Sequence, residues 1–118
     1  MSLTMEQSSA YVQNCIHGDP AACSCACPFR LDIRAFLDKV AKGRWAPAYK
    51  ALRDAVVFPA VVAELCDQPC RGACLRDQTG DEAIALGSIE SAVVRFAKNR
   101  PPESFAMPPK SERVAIVG

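Results

Sequence analysis

Cys15-Ile-His-Gly-Asp-Pro-Ala-Ala-Cys23-Ser-Cys25-Ala-Cys27-Pro28 and, further along, Cys66-Asp-Gln-Pro-Cys70-Arg-Gly-Ala-Cys74 contain all seven cysteines of the chain. Sulfurs gathered in two knots and nowhere else point to a shared inorganic partner or to redox thiols. In the first knot Gly18, Pro20 and Pro28 forbid a continuous helix, so an irregular loop is expected, able to turn several sulfurs towards one point. In the second, Pro69 places Cys66 just outside any helical turn. Cys70 and Cys74, four apart, share a face if that turn is helical.

The surroundings of the knots fit a small domain. The chain has 118 residues, half of them hydrophobic, and nine prolines break it into short pieces. A domain of this size buries a modest core and gains from a metal centre that ties distant segments together. A formal charge of +1, with acids and bases interspersed, lacks the basic stripe of a nucleic-acid protein, so that class of partner is set aside. The N-terminus Met-Ser-Leu-Thr-Met-Glu-Gln lacks a basic start followed by an apolar core, and no apolar run approaches the ~20 residues of a membrane helix. A soluble, cytoplasmic chain is expected, and in that reducing compartment closely spaced cysteines, odd in number, are metal ligands or catalytic groups before they are disulfides.

Outward from the knots the pattern is helical. Leu3 to Asn14 reads as a short helix resting on Leu3, Tyr11 and Val12. Asp32 caps a helix in which Ile33, Phe36, Leu37 and Val40 share a face, and Gly43 stops it. Arg44-Trp45 opens a second helix, with Pro47 in its first turn and Trp45, Tyr49, Leu52 and Val56 packing inward until Phe58-Pro59 ends it; the two form a hairpin. A brief helix from Pro59 to Leu65 delivers Cys66, Arg71 to Leu75 takes another helical turn, and Arg76 to Asp81 reads as a polar turn. After Gly87-Ser88, a helix carries Ile89, Ala92, Val93, Phe96 and Ala97 on one face and ends near Asn99. The fold class is therefore all-α: a helical domain over residues 1–99 with two cysteine knots. A Pro-rich linker follows over 100–112, and at 113–118 an apolar strand, Arg113-Val-Ala-Ile-Val-Gly118. Such a strand leads into the first glycine of a dinucleotide-binding turn, which makes Gly118 a candidate cofactor residue of a further domain.

The chemistry of the knots is read from donor type and number. Cys27-Pro28 closes a Cys-x3-Cys-Pro run, the ending of cysteine runs that hold four-iron clusters, in which the last cysteine ligates a different cluster from its neighbours. A cubane takes about four protein ligands, so seven cysteines fall one short of two clusters. Glu90 is the candidate for the missing donor, against the ordinary reading of a first-turn glutamate that serves the helix dipole. His17, the one histidine, is a second candidate, against a solvent-facing loop residue. Asp19 and Asp67 read as loop or cap residues. Structural zinc, with knuckles at Cys23/Cys27 and Cys66/Cys70, is weighed second, and a redox thiol site third, since Cys-x-x-Cys is absent.

Cys15, Cys23, Cys27-Pro28, the Ile-x-x-Phe helix, Gly43-Arg44-Trp45, Phe58-Pro59, the Cys66/Cys70/Cys74 knot and Gly87-Ser88-Ile89-Glu90 resemble, in order, the N-terminal iron–sulfur domain of the glutamate synthase small subunit and of dihydropyrimidine dehydrogenase. The resemblance implies an all-helical domain with two [4Fe-4S] clusters. Cys27, Cys66, Cys70 and Glu90 would hold one, and Cys15, Cys23 and Cys74 the other. It also exposes a departure: the family's first knot reads Cys-x2-Cys-x4-Cys-x3-Cys-Pro, and Gly18 stands where its second cysteine belongs. Cys25 is the preferred substitute, with His17 or an altered cluster as the alternatives. The resemblance further implies a parent FAD- and NAD(P)H-dependent oxidoreductase, with flavin and NAD(P)H in domains beyond Gly118, a partner oxidoreductase subunit as electron partner, and no turnover by this segment alone. The rival reading is a helical adaptor for subunit contact that binds zinc or nothing.

Overall fold

In the computed structural model, residues 3–97 and 108–118 are described. Thr4 opens helix α1, Met5–Tyr11, through a capping box: its hydroxyl accepts from the Gln7 amide and the Gln7 side chain accepts from the Thr4 amide. The α-helical stretch is shorter than the expected Leu3–Asn14, because the last three residues, Val12–Asn14, tighten into a 3₁₀ turn. That turn lets Val12 enter the core and points the chain at Cys15. The Ser9 hydroxyl, donating to the Val40 carbonyl at 2.9 Å, ties this N-terminal segment to the helices that follow.

Helix α2, Ala22–Ala26, is one short turn inside the first knot, where the sequence suggested only irregular loop. Pro20 and Pro28 bracket the segment without entering the helix, so a single turn fits between them. Helix α3, Ile33–Ala41, runs as its periodicity demands: the Asp32 carboxylate accepts from the Ala35 amide at 3.1 Å, and Ile33, Phe36, Leu37 and Val40 are buried. It ends in a Schellman motif, with Gly43 at φ +67°, the Gly43 amide donating to Val40 and the Arg44 amide to Lys39, both at 2.9 Å. The left-handed backbone there is the reason a glycine stands at the turn.

Helix α4, Trp45–Val56, buries Ala48, Leu52 and Val56, while Trp45 and Tyr49 are half-buried against the same core. Trp45 meets the Phe96 ring edge-on, centroids 5.4 Å apart. Helix α5, Pro59–Leu65, begins with its proline at the first helical position and ends at Cys66. Helix α6, Pro69–Gly72, is too short to carry both later cysteines: Cys70 is helical, but Cys74 is extended and caps helix α7, Leu75–Gln78. Cys70 and Cys74 therefore do not share one helical face, and the segment expected as a plain turn from Arg76 begins inside α7.

Helix α8, Leu86–Phe96, starts before Gly87-Ser88, so Glu90 lies in its second turn and not its first. The expected end near Asn99 lies outside the described residues. Helix α8 packs on α4 and α5, α3 packs on α4, and α2 packs on α6. Phe36, Val40, Ala48, Leu52, Ile89 and Val93 meet in the core at 0 % exposure. Each large apolar side chain buried this way contributes roughly 1.5–3 kcal/mol. The α2–α6 contact is what brings the two knots face to face.

Most of the expected linker lies outside the described residues, and 108–118 has no regular secondary structure. The strand expected over Arg113–Gly118 does not form here: Val114, Ile116 and Val117 are almost fully exposed. A strand is held by a neighbour's backbone, and no strand is found among the described residues.

Candidate metal centre

The cysteines sort themselves by the ends of short helices. Cys23 sits within α2, and Cys27 follows it in extended conformation, its amide donating to the Cys23 carbonyl at 3.1 Å. Cys25, two positions after Cys23, points about 200° round the helix from it. It is exposed and lines an open surface cavity with His17, Ser24, Asp32, Arg34 and Asp38.

Cys70, buried at the first turn of α6, stands at the centre of the first group. Its thiol is pushed up to about 11, first by burial and then by the negative charges of Glu90, Cys27, Cys23 and Cys66. Glu90 reaches the same place from α8. It is only 6 % exposed, and burial pushes its carboxyl up to about 7, with no cation paired to it among the described residues. A first-turn dipole role is excluded by its place in the second turn. A lone carboxyl held this deep among thiols stabilises nothing by itself, and it is the donor expected where a cation is to be seated.

Gln68 organises this corner, although nothing in the sequence singled it out. It is left-handed at φ 54°, its amide donates to the Cys66 sulfur at 3.4 Å, and its side-chain oxygen accepts from the Gly87 amide at 3.2 Å. A Cβ at Gly87 would come within 2.5 Å of the Gln68 side-chain nitrogen, Nε2. The glycine thus lets the second knot approach the start of α8 closely enough to bring Glu90 over Cys70. The one signal available beforehand was Gly87 itself, a small residue where backbones meet.

The second group is Cys15, Cys23 and Cys74, which line one small cavity together with His17, Gly18, Arg34 and Leu75. Burial raises the Cys23 thiol, backbone hydrogen bonding at Ser24 partly offsets that, and the charges of Cys15 and Cys74 raise it further. The free space is about 30 Å³, near the share of one water. Gly18 contributes no donor, and a Cβ placed on it would overlap the Leu75 side chain. The Arg34 guanidinium donates to the Gly18 carbonyl at 3.0 Å and lies 3.9 Å from Asp19. His17 is exposed and left-handed at φ 56°.

A single zinc ion needs its donors within about 2.3 Å of one point. Among the described residues no three His, Cys, Asp or Glu side chains are gathered that tightly. A polynuclear cluster spreads its thiolates over a wider frame, and a donor set of thiolates plus one unpaired carboxylate suits iron and sulfide.

A family model described as dihydropyrimidine dehydrogenase domain II, 4Fe-4S cluster, matches residues 1–101. The chain belongs to this family. Its resemblance to the dihydropyrimidine dehydrogenase and glutamate synthase iron–sulfur domains is therefore sound, and the all-helical fold agrees with it. It is 28 % identical over 98 % of its length to the NADPH-Fe(3+) oxidoreductase subunit beta of Geobacter sulfurreducens. It is 29 % identical over 68 % to the NADP(+)-dependent formate dehydrogenase subunit beta of Moorella thermoacetica. Over 81 % it is 31 % identical to the glutamate synthase [NADPH] small chain of Mycobacterium tuberculosis. The chain spans only 11–20 % of these relatives. The family's chemistry is that of a 4Fe-4S cluster domain, which is electron transfer. Among the described residues no helix is long and apolar enough to cross a membrane.

Proposed function

We propose that this chain carries two [4Fe-4S] clusters and passes single electrons between a flavin fed by NAD(P)H, in a domain beyond residue 118, and a partner oxidoreductase subunit. Cys27, Cys66, Cys70 and Glu90 hold one cluster; Cys15, Cys23 and Cys74 hold the other. Cys25, exposed on the opposite side of α2, belongs to neither. The observation that carries the reading is the meeting of the two knots: Cys15, Cys23 and Cys74 line one small cavity, while the buried Cys70 feels the charges of Glu90 and Cys27 first and of Cys23 and Cys66 after them.

When bound, such clusters supply one-electron storage at a potential set by their ligands and surroundings. The chain's own part is to hold the donors and shape that environment. Cys70 and Glu90, both buried, keep water from one side of their site, and the Gln68 amide donates to the Cys66 sulfur, an interaction that favours added negative charge there. The α2–α6 contact keeps the two donor sets side by side, so that an electron has a short path across the domain.

Anaerobic reconstitution with iron and sulfide tests the reading. A brown protein with a broad band near ~400 nm and about eight irons per chain is expected, and Glu90→Ala should perturb one cluster only. A colourless protein holding stoichiometric zinc would refute it in favour of the adaptor.

A further inference from the structure

We propose that the open cavity between α2 and α3 binds an acidic low-molecular-weight thiol, and that Cys25 on its wall forms a mixed disulfide with that ligand. The site shares no cysteine with the small cavity at Cys15, Cys23 and Cys74, and it does not depend on what the two knots hold. Its walls are set by two backbone contacts. The Ser24 hydroxyl accepts from the Ile33 amide at 3.0 Å and fixes α2 against the start of α3, and the Arg30 amide donates to the Cys27 carbonyl at 3.0 Å, turning the loop back. Between these elements lies about 590 Å³ of space lined by Cys25, Arg30, Asp32, Arg34 and Asp38, a size within the range of small-molecule sites. The Cys25 thiol is exposed to it and is bonded to no other cysteine.

The charges on the wall decide the class of thiol. Asp38 is answered by Lys42 at 2.7 Å, and one oxygen of Asp32 accepts from the Ala35 amide at 3.1 Å. The Arg30 side chain has no ion pair or hydrogen bond among the described residues. The Arg34 guanidinium meets the neutral Gly18 carbonyl at 3.0 Å and Asp19 only at 3.9 Å. The charge left unanswered is therefore positive, and carboxylates on an incoming molecule find two guanidinium groups beside the sulfur. The covalent step balances with the ligand's own symmetrical disulfide as oxidant. The Cys25 sulfur attacks one sulfur of that disulfide, the new S–S bond forms as the old one breaks, and the departing thiol takes the electron pair and the proton that Cys25 gives up.

The test offers the 118-residue chain, under argon, three disulfides of different charge: oxidised glutathione, which is acidic, hydroxyethyl disulfide, which is neutral, and cystamine, which is basic. Site-resolved mass spectrometry reads the rate of addition at Cys25 alone, whatever the other six cysteines do. In Arg30→Gln the rate with oxidised glutathione should fall about fivefold, the rate with hydroxyethyl disulfide should stay as it was, and the rate with cystamine should rise. That substitution removes an exposed side chain with no partner within the described residues, so the fold is kept. Arg34→Gln should act in the same direction. Salt at about 1 M, where charges are screened beyond about 3 Å, should bring the wild-type rate with oxidised glutathione down to that of Arg30→Gln. Rates at Cys25 that Arg30→Gln leaves unchanged for all three disulfides would mean an exposed thiol without a binding site, and would overturn the proposal. So would addition of glutathione at other cysteines while Cys25 stays unmodified.

Discussion

Glu90→Gln in the metal-free chain should raise stability at pH 8 by about 3 kcal/mol and leave it unchanged at pH 4. The carboxyl is 6 % exposed and is pushed from 4.5 to about 7 by burial alone. Below about 4.5 it is neutral in both folded and unfolded chains and costs nothing. As pH rises the unfolded chain ionises first, so the folded state binds the extra proton and stability falls through the window from about 4.5 to 7, then flattens. At 1.36 kcal/mol per pH unit, that gap is worth roughly 3 kcal/mol above pH 7. Glutamine keeps the shape and hydrogen-bonding reach of the side chain and removes the ionisation. Thermal melts of chelator-treated wild type and variant at the two pH values measure the effect, and a rise of more than about 10 °C at pH 8 is expected for a domain of this size. Equal stabilities at pH 8, or a difference that is the same at both pH values, would show that Glu90 is not held as a buried, unpaired acid.

Cys25→Ala should leave iron content and the visible spectrum of the reconstituted chain unchanged, since its thiol faces away from both donor sets; loss of a cluster would restore it as a ligand. Phe36→Ala, which empties a fully buried ring position between α3 and its neighbours, should cost about 3–5 kcal/mol by chemical denaturation. Gly43→Ala should cost about 1 kcal/mol, because the Schellman turn holds that residue at φ +67° with open space around it.

The chain by itself determined the framework. The limits of α3 were legible because Asp32 and Gly43 are local signals that act within one turn, and the apolar face of Ile33, Phe36, Leu37 and Val40 repeats at the helical period. The membership of the two knots and the candidacy of Glu90 were legible from donor chemistry and from the ordered resemblance. The tertiary structure decided the rest. It settled that α2 turns Cys25 away from Cys23, that Gln68 against Gly87 brings Glu90 down over Cys70, and that Leu75 takes the space beside Gly18. These depend on contacts between residues far apart in the chain, whose geometry is fixed by packing. Local capping and periodicity carry no record of which distant side chain arrives at a given point.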